Sequence, residues 1–116
     1  MYNSSMREFI IAISFDKTWA DLGLTDDDLR LFQEFLIDNP NAGKAIKGTG
    51  GLRKVRWALP NKGKSGGIRV LYVNFISFGK TVLVDCYGKG AKDNISENEK
   101  AAYKDFVKSI EKECRG

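Results

Sequence analysis

Basic side chains are concentrated in the middle of this 116-residue sequence, where their spacing could place several of them on one surface. Residues 44–92 hold eleven Lys and Arg side chains against one acidic residue, Asp85, whereas residues 1–43 hold three basic and eight acidic side chains. So unbalanced a segment within a small chain favours a polyanionic partner, with phosphate as the first candidate. The alternative is a surface whose charge only maintains solubility, although such surfaces usually mix both signs.

Alternation along the predicted strands gathers the candidate catalytic residues on one face. Side chains two residues apart in a strand share a face, which puts Lys54 and Arg56 together on one strand and Tyr87 and Lys89 together on another. Arg69 is the single charge in the otherwise apolar strand between them. We therefore expect one basic concavity that bears Lys54, Arg56, Arg69, Lys89 and the phenol of Tyr87.

Each of these residues also has a purely structural interpretation. Lys54 and Arg56 would then be solvated strand residues that pair with helix carboxylates, and Arg69 would form an ion pair with Asp85. Tyr87 would be a core aromatic residue whose hydroxyl reaches the rim. Under this interpretation, loss of Arg69 would lower stability rather than activity.

The composition excludes several kinds of catalytic site. The sequence contains no histidine, so no imidazole is available as a general base, and Ser-His-Asp and Cys-His arrangements are excluded. Its two cysteines are too few for a zinc site of Cys and His ligands, and we expect no disulfide between Cys86 and Cys114. Cys86 lies in an apolar run and is predicted to be buried and unreactive.

Seven secondary-structure elements are predicted from hydrophobic periodicity and from residues that begin or end helices. Thr25 is a predicted N-cap, and the three aspartates that follow it are favourable at the positive end of the helix dipole. Apolar residues at helical spacing then continue to Asn39-Pro40, where the helix must end. In chain order, the elements are a strand at Phe9–Ile13, a short helix at 15–22, a helix at 26–38, strands at Leu52–Leu59, Ile68–Phe75 and Thr81–Tyr87, and a helix from about Ser96 to Glu113.

The order of these elements predicts the α+β fold class. Turn-rich joins at Pro60–Gly67 and Ser77–Lys80 favour an antiparallel meander of the last three strands, and residues 41–51 are expected to form a glycine-rich loop. Because strands and helices segregate rather than alternate, we expect the helices to pack on one face of the sheet.

The length and composition predict a single soluble domain over residues 1–116, with residues 1–7 and 114–116 frayed. The apolar run Phe9–Phe15 is too short for a membrane span, and no small-residue cleavage site follows it as in a signal peptide. We therefore expect a cytoplasmic protein that does not enter a membrane.

Three stretches of the sequence resemble a known family. They are Gly48–Trp57, Gly67–Tyr72 and Tyr87–Lys92, and in order and spacing they look like HigB-type members of the RelE/ParE toxin superfamily of type II toxin–antitoxin systems. The likeness extends from about Phe9 to Ile110 and implies a RelE-like fold.

The resemblance implies a ribosome-dependent endoribonuclease that cleaves messenger RNA. It assigns the basic catalytic positions to Lys54, Arg56, Arg69 and Lys89. Several relatives use a tyrosine at the start of the last helix and others use histidines; this sequence has neither, and Tyr87 is the candidate substitute. Four further basic side chains are assigned to RNA binding: Arg53, Lys62, Lys64 and Lys92.

The implied chemistry needs neither a cofactor nor a metal ion, because the 2′-hydroxyl beside the scissile phosphate is the nucleophile. Arg69 would hold the non-bridging oxygens through two N–H donors, and Arg56 or Lys89 would stabilise the departing 5′-oxygen. Lys54 is the candidate general base, on the condition that neighbouring cations lower its pKa. The expected product is a 2′,3′-cyclic phosphate or its opened 3′-phosphate.

The implied partners are the ribosome with its messenger RNA and a helix-turn-helix antitoxin of the HigA-like type. Two alternative functions belong to other classes. A non-catalytic RNA-binding module would use the same basic face but would carry more aromatic residues among the cations for base stacking. A gyrase-directed toxin of the ParE branch shares the fold and generally lacks the basic catalytic set.

Overall fold

The computed structural model of the protein describes residues 7–58, 67–88 and 94–115. It contains three α-helices and a five-stranded sheet. The helices are α1 (Ile13–Asp21), α2 (Asp26–Asp38) and α3 (Glu97–Arg115), and the strands are β1 (Glu8–Ile11), β2 (Lys44–Ala45), β3 (Arg53–Trp57), β4 (Ile68–Phe75) and β5 (Lys80–Gly88). Within the described residues, no helix combines the length and the apolar composition that crossing a bilayer requires.

The sheet is mixed, with the strand order β1-β5-β4-β3-β2. Strands β3, β4 and β5 form the predicted antiparallel meander, and β1 adds to β5 in parallel. The α+β class and the order of the predicted elements are confirmed. Strand β2 falls within residues 41–51, which were expected to be a loop. The strand was not predicted because two paired residues among glycines leave no periodic pattern to detect. The predicted turn residues 60–66 lie outside the described residues.

The helices pack on both faces of the sheet, so the expectation that they share one face is wrong. Helices α1 and α2 place Phe15 and Phe32 against one face, in a cluster that includes Val70 of β4. Helix α3 places Val107 against the opposite face, where it packs with Leu71 and its neighbours. The apolar residues of β4 alternate between these two clusters, so both faces of the central strand must be covered. We call the second surface the α3 face.

Local signals fix the helix beginnings close to their predicted positions. Helix α2 begins with a capping box, in which the Asp28 N–H donates to Thr25 Oγ1 (3.1 Å) and the Thr25 N–H donates to Asp28 Oδ2 (2.9 Å). Ser96 and Glu99 exchange the equivalent bonds at the start of α3. These bonds satisfy N–H groups that a helix end leaves unpaired. Helix α3 continues to Arg115, two residues beyond its predicted end.

Candidate nucleic-acid interface

The register of the meander brings four of the predicted catalytic residues onto the α3 face. Arg56 pairs with Arg69 across β3 and β4, and Arg69 pairs in turn with Tyr87 of β5. Lys54 lies two residues before Arg56 and is paired with Leu71, whose side chain is buried in the α3-face core. Paired residues in a sheet project to the same side, so one row of side chains crosses three strands.

A groove of about 250 Å³ separates the basic side chains of this row. It is lined by Gly43, Lys44, Lys54, Arg56 and Arg69; we call it the cation groove. Lys44 and Arg56 are exposed, whereas Lys54 and Arg69 are partly buried. Like charges this close repel one another, and a bound polyanion offsets that repulsion. The groove therefore suits a phosphate group.

Lys44 is a member of the cation groove that sequence analysis missed. It lies on β2, and the antiparallel register of β2 with β3 pairs it with Lys54. Gly43 makes this approach possible: its φ is +84°, and a Cβ at this position would overlap the carbonyl oxygen of Lys54. The glycine before Lys44 was the available signal, because glycine permits both a positive φ and a close backbone contact.

Arg53 was predicted to bind RNA, but the structure does not bring it into the cation groove. It is adjacent to Lys54 on β3 and therefore projects from the opposite face of the sheet. Its guanidinium donates to the carbonyl oxygens of Asn41 (2.8 Å) and Gly43 (3.0 Å). These bonds hold the chain that leads into β2, so the contacts that the structure gives Arg53 support the sheet edge.

Lys62, Lys64, Lys89 and Lys92 lie outside the described residues, and their predicted roles stay predictions.

Three further polar side chains lie on the α3 face: Tyr87 and Asp85 of β5, and Tyr103 of α3. Tyr87 is partly buried and packs against the α3-face core. The Tyr103 hydroxyl donates to Asp85 Oδ2 (3.3 Å), and the backbone N–H of Cys86 donates to Asp85 Oδ1 (2.9 Å). Burial, followed by the charge of Asp85, raises the pKa of Tyr103 to about 12. The Tyr103 phenol is therefore protonated at neutral pH and serves Asp85 as a donor. Asp85 is a diagonal neighbour of Arg69, and an ion pair between them stays a prediction.

Cys86 is buried, as predicted. Burial is the main cause that raises the pKa of its thiol to about 12, with Asp85 as a second cause. A thiol with this pKa is almost wholly protonated at neutral pH, so it is a poor nucleophile. The expectation that Cys86 is unreactive is supported by this environment.

A second groove, of about 360 Å³, lies between β3 and the beginning of α3. It is lined by Ile46, Lys54, Asn94, Ile95 and Lys100; we call it the mixed groove. Lys54 lines both grooves, so the two concavities meet at its side chain. Neither Asn94 nor Lys100 was a predicted site residue, because some forty residues of chain separate them from Lys54 and only the packing of α3 brings them near.

The chain matches a known protein family. The model of a family described as the RelE toxin of the RelE / RelB toxin-antitoxin system matches residues 13–115. The match begins at the start of α1 and ends with α3, so it includes every strand and helix described above except β1.

Proposed function

Because the chain belongs to the RelE toxin family and is thus the toxin of a toxin–antitoxin system, we propose that it is a ribosome-dependent endoribonuclease of the HigB-like branch that cleaves messenger RNA. The observation that carries this proposal is the cation groove, in which Lys44, Lys54, Arg56 and Arg69 surround one concavity. Members of this family are in general endoribonucleases, and a phosphodiester in the groove is the substrate that its charge favours.

In the proposed reaction, the 2′-oxygen of a ribose forms a bond to the adjacent phosphorus, and the bond from phosphorus to the 5′-oxygen breaks. A base accepts the 2′-hydroxyl proton, and the departing 5′-oxygen receives a proton. The product is a 2′,3′-cyclic phosphate, which water then opens to a 3′-phosphate. The nucleophile belongs to the RNA, so the protein contributes orientation, charge stabilisation and proton transfer.

The positions of the side chains suggest how these tasks are divided. Arg69 lies on the central strand β4 with a paired strand on each side, so its backbone is held rigidly while its guanidinium presents two parallel donors to the non-bridging oxygens. Arg56 of β3 is paired with Arg69 in the sheet, and it is the residue proposed to stabilise the departing 5′-oxygen. Lys54 is the proposed base. Lys89 and Tyr87 are the candidates for the proton transfer to the departing 5′-oxygen. Lys89 is a candidate from the family resemblance alone, because it lies outside the described residues.

Membership of the family implies an antitoxin partner. We propose that it is a helix-turn-helix protein of the HigA-like type, which inhibits the toxin by covering the cation groove or by preventing entry into the ribosome. An unopposed messenger-RNA nuclease would arrest its own cell, so expression of this chain without the antitoxin is expected to stop growth.

Arg69 provides the decisive test of the proposed function. Arg69→Lys retains the charge but loses the bidentate geometry, so we expect ribosome-dependent cleavage to slow by about tenfold or more. Arg69→Ala should abolish growth arrest. The matched control is Arg30→Ala, because Arg30 is exposed on α2 and pairs only locally with Asp27. A message with 2′-deoxyribose at the cut position should resist the wild-type protein.

Two outcomes would contradict different parts of the proposal, the first the role of Arg69 and the second the nuclease activity itself. Cleavage at the wild-type rate by Arg69→Ala, together with a lowered melting temperature, would show that Arg69 has a structural role. Growth arrest without any RNA cleavage would indicate a different target, such as that of the gyrase-directed branch.

A further inference from the structure

We propose that the mixed groove is a nucleobase-binding subsite that sets the base preference of the toxin beside the cleaved phosphate. This inference rests on the proposed RNA cleavage and assigns the recognition of one base to Asn94. The occupant is the base of the nucleotide adjacent to the phosphate in the cation groove.

The cation groove and the mixed groove meet at Lys54, which lines both. A nucleotide chain with one phosphate among Lys54, Arg56 and Arg69 has a direct path past the Lys54 side chain. The neighbouring nucleotide is thus within reach of the mixed groove.

The mixed groove is lined by both apolar and polar side chains. Ile46 and Ile95 supply apolar walls, Asn94 supplies an amide, and Lys54 and Lys100 supply cations. Unstacked bases of single-stranded RNA are recognised by stacking on aromatic or arginine side chains and by hydrogen bonds to a base edge. In the mixed groove, the two isoleucines supply apolar contact in place of an aromatic ring, Asn94 supplies the hydrogen bonds, and the lysines supply charge for the phosphates. The volume of about 360 Å³ lies near the lower end of the range for small-ligand sites, about 300–1,000 Å³.

The two apolar walls of the mixed groove, Ile46 and Ile95, are held rigidly. Thr49 is fully buried in the turn between β2 and β3, where its hydroxyl donates to the Ile46 carbonyl (2.6 Å) and accepts from the Leu52 N–H (3.1 Å). Ile95 packs against the α3-face core immediately before the capping box that begins α3. Binding sites on such fixed segments discriminate between ligands, because the walls cannot rearrange to fit a wrong one.

Lys100 is placed to hold the backbone of the bound nucleotide. Its Nζ lies 3.2 Å from Glu97 Oε2 on the same helix, and its aliphatic stem passes close to Gly48 of the turn between β2 and β3. Lys100 also lines the mixed groove, and its carboxylate partner Glu97 is exposed. Because such a surface ion pair is weak, a phosphate of the bound nucleotide can replace the carboxylate at the ammonium.

Asn94 predicts which base is preferred. A carboxamide offers one donor and one acceptor side by side, which matches the N6 and N7 atoms of adenine, whereas the corresponding edge of guanine presents two acceptors. We therefore expect adenine to be favoured at one position adjacent to the cut. Such a pair typically contributes a discrimination of about fivefold or more.

The test is to map the cut sites of the full-length wild-type protein and of Asn94→Ala in a translating extract, on messages that carry each of the four bases beside the cut. Asn94→Ala should reduce the preference at one adjacent position by about fivefold or more. Asn98→Ala is the matched control, because Asn98 is exposed on α3 and does not line the groove. Melting temperatures of both variants verify that the fold is retained.

A second variant tests the contact between Lys100 and a phosphate. Lys100→Gln should weaken binding of a cleavage-resistant 2′-O-methyl RNA to the protein and reduce its salt dependence by about one phosphate contact. Lys104→Gln, an exposed position one turn further along α3, should leave both quantities unchanged.

The possible results separate this inference from the proposed function. If the wild-type protein cuts RNA and Asn94→Ala keeps the same base preference, the subsite inference is overturned and the nuclease stands. If the wild-type protein cuts no RNA under conditions that arrest growth, the proposed function fails and the inference fails with it.

Discussion

At the scale of single residues, the two neighbours Arg53 and Lys54 have different surroundings although both are basic. The Arg53 guanidinium is bonded to backbone carbonyls on one side of the sheet, whereas Lys54 lines two grooves on the other side. Alternation along β3 is the cause, because adjacent strand residues project to opposite faces. Charge alone therefore identifies a basic segment, and the parity of each residue in its strand decides which charges act together.

Gly43 provides a prediction at this scale. Gly43→Ala introduces a Cβ that overlaps the Lys54 carbonyl and also strains a positive φ, so the free energy of unfolding should fall by about 2 kcal/mol or more. The control is Gly23→Ala, which has a similar φ of +78° but no atom within 4 Å of the added Cβ. That variant should lose only the cost of the left-handed conformation, about 1 kcal/mol.

Denaturant unfolding of both glycine variants measures the difference. Equal losses would mean that β2 shifts away from β3 without cost. In that case the pairing of β2 with β3 would not hold Lys44 rigidly at the cation groove.

At the scale of elements, the beginnings of α2 and α3 follow from local chemistry. Thr25 closes the capping box of α2 through its hydroxyl, and its carbonyl also accepts a hydrogen bond from the Trp19 indole (3.0 Å). One residue thus connects the end of α1, the start of α2 and the aromatic cluster beneath them. Such local signals are readable from sequence because the bonding residues lie within a few positions of one another.

The capping box gives a prediction at the scale of elements. Thr25→Ala removes the side-chain bond to the Asp28 N–H and should lower the free energy of unfolding by about 1 kcal/mol, which corresponds to a fall of several degrees in the melting temperature. Thr25→Ser retains the hydroxyl and should restore most of the loss. RNA cleavage at low temperature should stay unchanged in both variants, because α2 packs on the face opposite to the cation groove. A Thr25→Ser variant as unstable as Thr25→Ala would show that the methyl group, rather than the hydroxyl, provides the stabilisation.

At the scale of the whole molecule, the distribution of charge predicts how strongly salt weakens RNA binding. Phosphate contacts by the four cation-groove side chains release counterions, so the logarithm of the association constant should fall with the logarithm of salt concentration with a slope of about −2 to −3 for single-stranded RNA. Lys44→Gln should reduce this slope by about 0.7. Lys17→Gln, an exposed position on α1, is the control. Titration of a 2′-O-methyl RNA at several salt concentrations measures both, and a slope near zero would place the RNA elsewhere.

The sequence by itself determined every helix and strand described above except β2, and it predicted three of the basic side chains that line the cation groove. Periodicity and capping residues predicted the helices and the strands of the meander, and strand parity placed Lys54 beside Arg56 on a shared face. These predictions succeeded because they depend on interactions between residues close together in the chain.

Only the tertiary structure decided which distant residues meet at the site. Pairing of β2 with β3 brought Lys44 to the cation groove, and docking of α3 on the second face of the sheet brought Asn94 and Lys100 to Lys54. The sequence predicted neither, because strand register and the choice of face depend on packing over the whole core. A short apolar run such as Val70–Val73 is compatible with one covered face or two when it is considered alone. The packed helices resolve this choice, since each face of β4 needs its own apolar partner.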